Sequence, residues 1–135
     1  MADAWNPMIP TLINYAKGHC DQACIIGKDG AIWTNDAEPN HLPITQEEAV
    51  VIAKAIREED ESTLHNDRLC VAGVKYQFIK RDEDKYYGKK KDGGDMTMQK
   101  TKHAILVAHT KEGAQLGETN WGVKEMAEYF EKSGY

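Results

Sequence analysis

No stretch of this 135-residue chain approaches the ~20 consecutive apolar residues that a membrane-crossing helix needs. The opening, Met1-Ala2-Asp3-Ala4-Trp5, has neither the positive region nor the apolar run of a secretory signal. Both absences predict a cytoplasmic protein. Cysteine is scarce too: Cys20, Cys24 and Cys70 make an odd count with no framework spacing, so free thiols in a reducing compartment are expected. His19, Cys20 and Cys24 would suggest a metal site only if a second ligand pair followed at matching spacing, and none does. Basic charge is also short. A formal net charge of -5 argues against general nucleic-acid binding, because an acidic surface repels phosphates, though a local basic patch stays open.

Signatures of bond chemistry are missing as well. There is no Gly-x-Ser-x-Gly elbow, no Walker loop and no paired Cys–His motif in a familiar context. The glycines of Gly88-Lys89-Lys90-Lys91-Asp92-Gly93-Gly94 lack the spacing of a phosphate-cradling loop. Five histidines are scattered over different segments. Neither an enzyme nor a bound cofactor is announced.

What is present fits one domain over residues 1–135. With 41% hydrophobic and 29% charged residues, the chain has an ordinary globular composition. At this length a core buries roughly two-thirds of the unfolded surface, so neither disulfide nor metal is needed to hold it. No repeat, low-complexity tract or linker interrupts it.

Periodicity then orders the elements. Ile9, Leu12, Ile13 and Ala16 form a helical stripe between Trp5 and Lys17, with Gly18 as its stop. If Pro7 and Pro10 both lie in the first turn, this helix starts near Asn6; if it starts near Asp3, Pro10 kinks it. Two apolar runs, Ala23–Gly27 and Ala31–Thr34, flank Asp29-Gly30 and predict a hairpin. Thr45-Gln46-Glu47-Glu48 matches a capping box, and Ala49, Ile52, Ala53 and Ile56 supply the inward face of its helix. Strands follow at Cys70–Val74, Tyr76–Lys80, Lys85–Gly88, Met96–Met98 and Ala104–Ala108, the last reading as a buried central strand. Val123, Met126, Ala127 and Phe130 line a closing helix from about Asn120 to Lys132. The order helix, hairpin, helix, strands, helix predicts an α+β fold around an antiparallel sheet.

The aromatics carry the functional signal. Tyr129 falls about 110° from the centre of the last helix's apolar face, on its flank. If the terminal helices lie side by side, Trp5, Trp33, Tyr129 and Tyr135 converge into an exposed shelf. Such a shelf suits a polyproline helix, whose free carbonyls accept hydrogen bonds from indole N–H and phenol O–H groups while its rings slot against flat faces. Two alternatives stand beside this: Trp5 lies near the apolar stripe and packing alone would explain it, and Tyr135 at the chain end would simply fray.

Several segments, in order over essentially the whole chain, resemble the profilin family. They are Trp5-Asn6, Lys28-Asp29-Gly30-Ala31-Ile32-Trp33, Gly73-Val74-Lys75-Tyr76-Gln77-Phe78-Ile79, the basic pair Gly88–Lys91 and Lys100–Ala104, and Glu125–Phe130 with Tyr135. The basic pair is similar to that of non-vertebrate profilins. The resemblance implies a central antiparallel sheet with the terminal helices on one face and shorter helices on the other. It implies a monomer without catalytic activity that binds monomeric actin, regulates its polymerisation and nucleotide exchange, and binds proline-rich proteins. An adaptor for proline-rich or phosphoinositide ligands that has lost useful actin affinity is the alternative.

By position, the resemblance assigns the proline-rich site to Trp5, Asn6, Met8, Trp33, Tyr129 and Tyr135. Met8 stands where many profilins carry a tyrosine; it keeps apolar contact but lacks the ring and the hydroxyl. The actin surface maps to Lys75, Phe78 and Lys80 on strands and to Gln115, Gly117, Asn120, Trp121 and Glu125 around the last helix's start. The helical wheel independently puts Trp121 and Glu125 opposite the apolar stripe, so both should be exposed; Trp121 either anchors an interface or covers neighbouring side chains. Lys89, Lys90, Lys91, Lys100 and Lys102 would form a patch for phosphatidylinositol bisphosphate if their strands are adjacent. Otherwise they are a solvated edge that discourages strand pairing.

Overall fold

In a computed structural model, which describes residues 4–65, 69–90 and 93–135, Thr45 forms the capping box that its sequence predicts. Its hydroxyl accepts from the Glu48 N–H, and the Glu48 carboxylate accepts from the Thr45 N–H at 2.9 Å. The same carboxylate also accepts from the N–H groups of Ala72 and Gly73, at 2.7 and 2.8 Å. One glutamate thus caps a helix and pins a distant strand turn.

The elements are α1 Met8–Tyr15, β1 Cys20–Gly27, α2 Gln46–Arg57, a single 3-10 turn at Glu61–Leu64, β2 Leu69–Val71, β3 Val74–Asp82, β4 Lys85–Lys89, β5 Asp95–Lys100, β6 Ala104–Thr110 and α3 Leu116–Lys132. The six strands form one antiparallel sheet in the order β1-β6-β5-β4-β3-β2. As expected, β6 lies inside the sheet, between β1 and β5. Each face has its own core. Ile9 and Leu12 of α1 meet Val123, Met126 and Phe130 of α3 over Ile25, Leu106 and Ala108. On the other face Ile52 and Ile56 of α2 pack on Ile26, Val71, Met98, Ile105 and Val107. The fold is the expected one, although α2, with 12 residues, is longer than α1, with 8.

Local differences have local causes. Helix α1 begins at Met8, later than either sequence alternative. Pro7 occupies its cap, and Pro10, without an N–H, leaves the Asn6 carbonyl to accept from Ile9 at 3.0 Å. No kink results. Residues 31–34 run beside β1 but form only one bridge, Ile26 with Ile32, rather than a strand. There the Thr34 hydroxyl accepts from the Ile25 N–H, replacing a backbone acceptor. The apolar segment Cys70–Val74 is two strands, because Ala72 and Gly73 take positive φ and fold it into a tight hairpin. Helix α3 starts at Leu116, four residues ahead of the expected position.

Among the described residues, no helix is long and apolar enough to cross a membrane, and no group of three His, Cys, Asp or Glu side chains is placed to hold a metal ion. Cys20 and Cys24 are buried thiols. Burial, aided by the Asp21 charge, pushes the Cys20 pKa up to about 12, and burial together with the Glu48 charge pushes Cys24 higher. Thiolate is therefore scarce at neutral pH. Maleimide at pH 7.5 is expected to leave both residues unmodified in the folded protein and to label both in denaturant. Rapid labelling of either in the native state, read by peptide mapping, would contradict this packing.

Candidate functional site

The two chain ends meet because α1 and α3 approach closely. A Cβ placed on Gly122 would lie 2.8 Å from the backbone nitrogen of Ala16, so only glycine permits this crossing. Above that contact the rings assemble. Trp5 sits in the turn leading into α1 and stacks on Trp33 with centroids 4.7 Å apart and planes tilted by 33°. It also meets Tyr135 edge-on at 4.8 Å and Phe130 at 5.5 Å. Offset and edge-to-face arrangements of this kind are the favourable ones for aromatic pairs.

Each ring is held by its own device. Trp33 follows the Asp29-Gly30 turn and lies against Gly27, where a Cβ would come within 2.8 Å of its indole Nε1. Asn6 is buried; its Nδ2 donates to Asn35 Oδ1 and its Oδ1 accepts from the Asn35 N–H, both at 3.0 Å. That double bond pair locks the turn bearing Trp5 to the loop beyond Trp33. Asn6 therefore belongs to the site as a clamp rather than as a contact surface. Tyr135 ends a helix cap: Gly134 has φ +88°, and the Tyr135 N–H returns to the Phe130 carbonyl at 2.8 Å.

Together Ala4, Trp5, Met8, Tyr129, Phe130, Ser133 and Tyr135 line an open cleft of about 370 Å³. Four of the six residues expected here, Trp5, Met8, Tyr129 and Tyr135, line it, while Trp33 stands behind Trp5 and Asn6 holds the turn beneath it. Tyr129 is 51% exposed and Tyr135 41%. Tyr135 is tied by backbone hydrogen bonds to Phe130 and His103, and Trp5 is half-buried, packed on the core with part of its surface open to the cleft. Phe130 was legible only as a core residue. It serves both roles because its ring lies under the seam between the helices.

The second expected surface divides. Lys75 and Lys80 are exposed on the sheet face that carries α3. Lys80 pairs across β4 with Tyr87, and Tyr87 pairs with Thr97, whose hydroxyl donates to Asn120 Oδ1 at 2.7 Å. This row runs from the outer sheet to the first turns of α3. Gln115 caps that helix, Gly117 lies in its first turn, and Glu125 is partly exposed. Trp121 is 50% exposed, with the Lys124 ammonium 4.9 Å from its ring centroid. Phe78 does not join them. The pleat turns it to the opposite face, where it is buried between His65 at 5.0 Å and Tyr86 at 6.3 Å. Ile79, at 47% exposure, is the apolar residue that this strand does present to solvent. Alternation from Tyr76 and Phe78 turns Ile79 outward; the bulge between Phe78 and Lys80, which alternation does not foreshadow, turns Lys80 away from the face of Phe78 to pair with Tyr87.

The lysines do not form one patch. Strands β4 and β5 are adjacent, but their antiparallel register sets Lys89 opposite Asp95, five residues or about 17 Å along β5 from Lys100. The two lysines also lie on opposite faces. Lys100 is engaged by Glu59 at 3.1 Å and Asp84 at 4.0 Å. Lys90 is half-buried, Lys102 is exposed, and Lys91 lies outside the described residues.

Comparison with known proteins agrees with this geometry. The chain matches the family described as Profilin over residues 3–135. It is 39% identical to a profilin of Strongylocentrotus purpuratus, with 95% of this chain and 96% of that protein covered. Among solved structures, Acanthamoeba castellanii profilin II superposes with a TM-score of 0.83 at 27% identity, covering 98% of this chain and all of that one. The fold is also that of mouse profilin IIa in complex with a double repeat from the FH1 domain of mDia1, with a TM-score of 0.72 at 21% identity over 98% of this chain and all of that one. It is again that of LokiProfilin2 in complex with rabbit actin, with a TM-score of 0.74 at 21% identity over 96% and 97% of the two chains. With the match running through both terminal helices that build the aromatic cleft, the chain belongs to the profilin family.

Proposed function

We propose that this protein binds monomeric actin through the surface of β3, β4 and the first half of α3, and binds proline-rich segments in the cleft between its chain ends. It regulates actin polymerisation and nucleotide exchange as a cytoplasmic monomer, and it catalyses no reaction itself. The observation that carries the reading is the joint presence of two separate exposed surfaces. One is an apolar ring cleft at the termini; the other is charged and carries Lys75, Lys80, Trp121 and Glu125. Family membership supports both ligands, and the complexes of mouse profilin IIa and LokiProfilin2 are consistent with them.

The cleft suits proline physically. Its ring faces offer flat apolar contact, while a polyproline helix arrives already extended and loses little entropy on docking. The lysine pattern gives no single basic patch, so phosphoinositide binding does not rest on the five lysines acting together.

Titration of fluorescent monomeric actin is the deciding experiment. Binding is expected, and Glu125→Ala or Lys75→Ala should weaken it while leaving affinity for a proline decamer unchanged. No actin binding at tens of micromolar would overturn the actin assignment and leave a proline-rich-ligand adaptor.

A further inference from the structure

The ring of Tyr135 is placed by a side chain on the far side of the sheet turn. Thr101 lies between β5 and β6 and is 3% exposed. Its hydroxyl donates to the Tyr135 backbone oxygen at 2.8 Å, and the His103 N–H donates to the same oxygen at 2.5 Å. The hydroxyl also accepts from the Ala104 N–H at 3.1 Å, and of the two carbonyl oxygens within its reach Tyr135 O, at 2.8 Å, is nearer than Ala104 O, at 3.3 Å. The Tyr135 N–H is bound to the Phe130 carbonyl, so its N–H and the backbone oxygen that faces Thr101 both have partners. The backbone is held at both ends, and the ring lies 4.8 Å from Trp5 and 6.3 Å from Trp33.

We infer that Thr101 is a positioning residue of the proline-binding cleft: through its hydroxyl, the β5–β6 turn holds Tyr135 against Trp5. The inference rests on the proline-binding half of the proposed function. Thr101 touches no ligand. It acts by removing the conformational freedom that a residue just beyond a helix end otherwise has, so that the cleft wall exists before the ligand arrives.

Thr101→Val keeps the shape of the side chain and removes the hydroxyl. The loss of one ordering hydrogen bond predicts about a fivefold weaker affinity for a proline decamer. Thr101→Ser restores the hydroxyl and should bind within about twofold of the wild type. The Ala104 N–H also loses its partner in the valine variant, so a double-mutant cycle separates positioning from general damage. In a Tyr135→Ala background, Thr101→Val should cause no further loss, and its actin affinity should match the wild type. An unchanged affinity in Thr101→Val, or a fivefold loss that persists without the Tyr135 ring, would overturn the positioning role while leaving the cleft's function intact. A wild-type protein that ignores the proline decamer would instead overturn the proposed function of the cleft and the positioning role with it.

Discussion

Replacing Trp5 with alanine is expected to weaken binding of a proline decamer by about 30-fold or more, the effect of removing a central aromatic anchor worth at least ~2 kcal/mol. Trp5 is the hub of the cleft: it alone touches Trp33, Phe130 and Tyr135 among the ring contacts. Its loss therefore removes one ring and a contact of three others. Trp33→Ala should follow in the same direction with a smaller effect, since Trp33 meets Trp5 and Tyr135 but does not line the cleft. Actin affinity should stay near the wild-type value in both, because Lys75, Lys80, Trp121 and Glu125 lie elsewhere. Isothermal titration with the two ligands on each variant reads the separation. A parallel loss of both ligands would mean that the indole supports the whole fold rather than one site.

The second large effect is expected at Gly122. Valine there drives its side chain into the backbone nitrogen of Ala16, which cannot swing aside as the end of a flexible side chain would. The helices must part, and overpacking of this kind costs roughly 1–3 kcal/mol. For a domain of this size that is a fall in Tm of roughly 3–12 °C. Proline affinity should drop as well, since α1 carries Trp5 away from Tyr135 and Phe130. Thermal unfolding and a decamer titration on Gly122→Val test this together. Wild-type values in both would show that the two helices tolerate a wider spacing without opening the cleft.

Against these expectations, the legibility of each feature can be traced to the range of the interaction behind it. Short-range signals came through. The capping box at Thr45 and Glu48 depends on groups three residues apart, and it forms as written. The stripe Val123–Phe130 faces the core because helical geometry alone sets which residues share a face. Where a local rule meets a local exception, the reading failed. Ala72-Gly73 hid a turn inside an apolar run, since alanine at positive φ carries no sequence signature. Phe78 was grouped with Lys75 by family position, although strand alternation already opposes the two.

The sequence by itself determined the alternation of elements, the two apolar faces of the sheet and the exposure of Trp121. All of these follow from periods of two or 3.6 residues and from residue chemistry. The tertiary structure alone decided that Trp5, Trp33 and Tyr135 touch, and that Lys89 and Lys100 stand apart. Those outcomes depend on strand register and on how near two helices can come, as at Gly122 and Ala16. Such separations join residues far apart along the chain, and no local pattern encodes them.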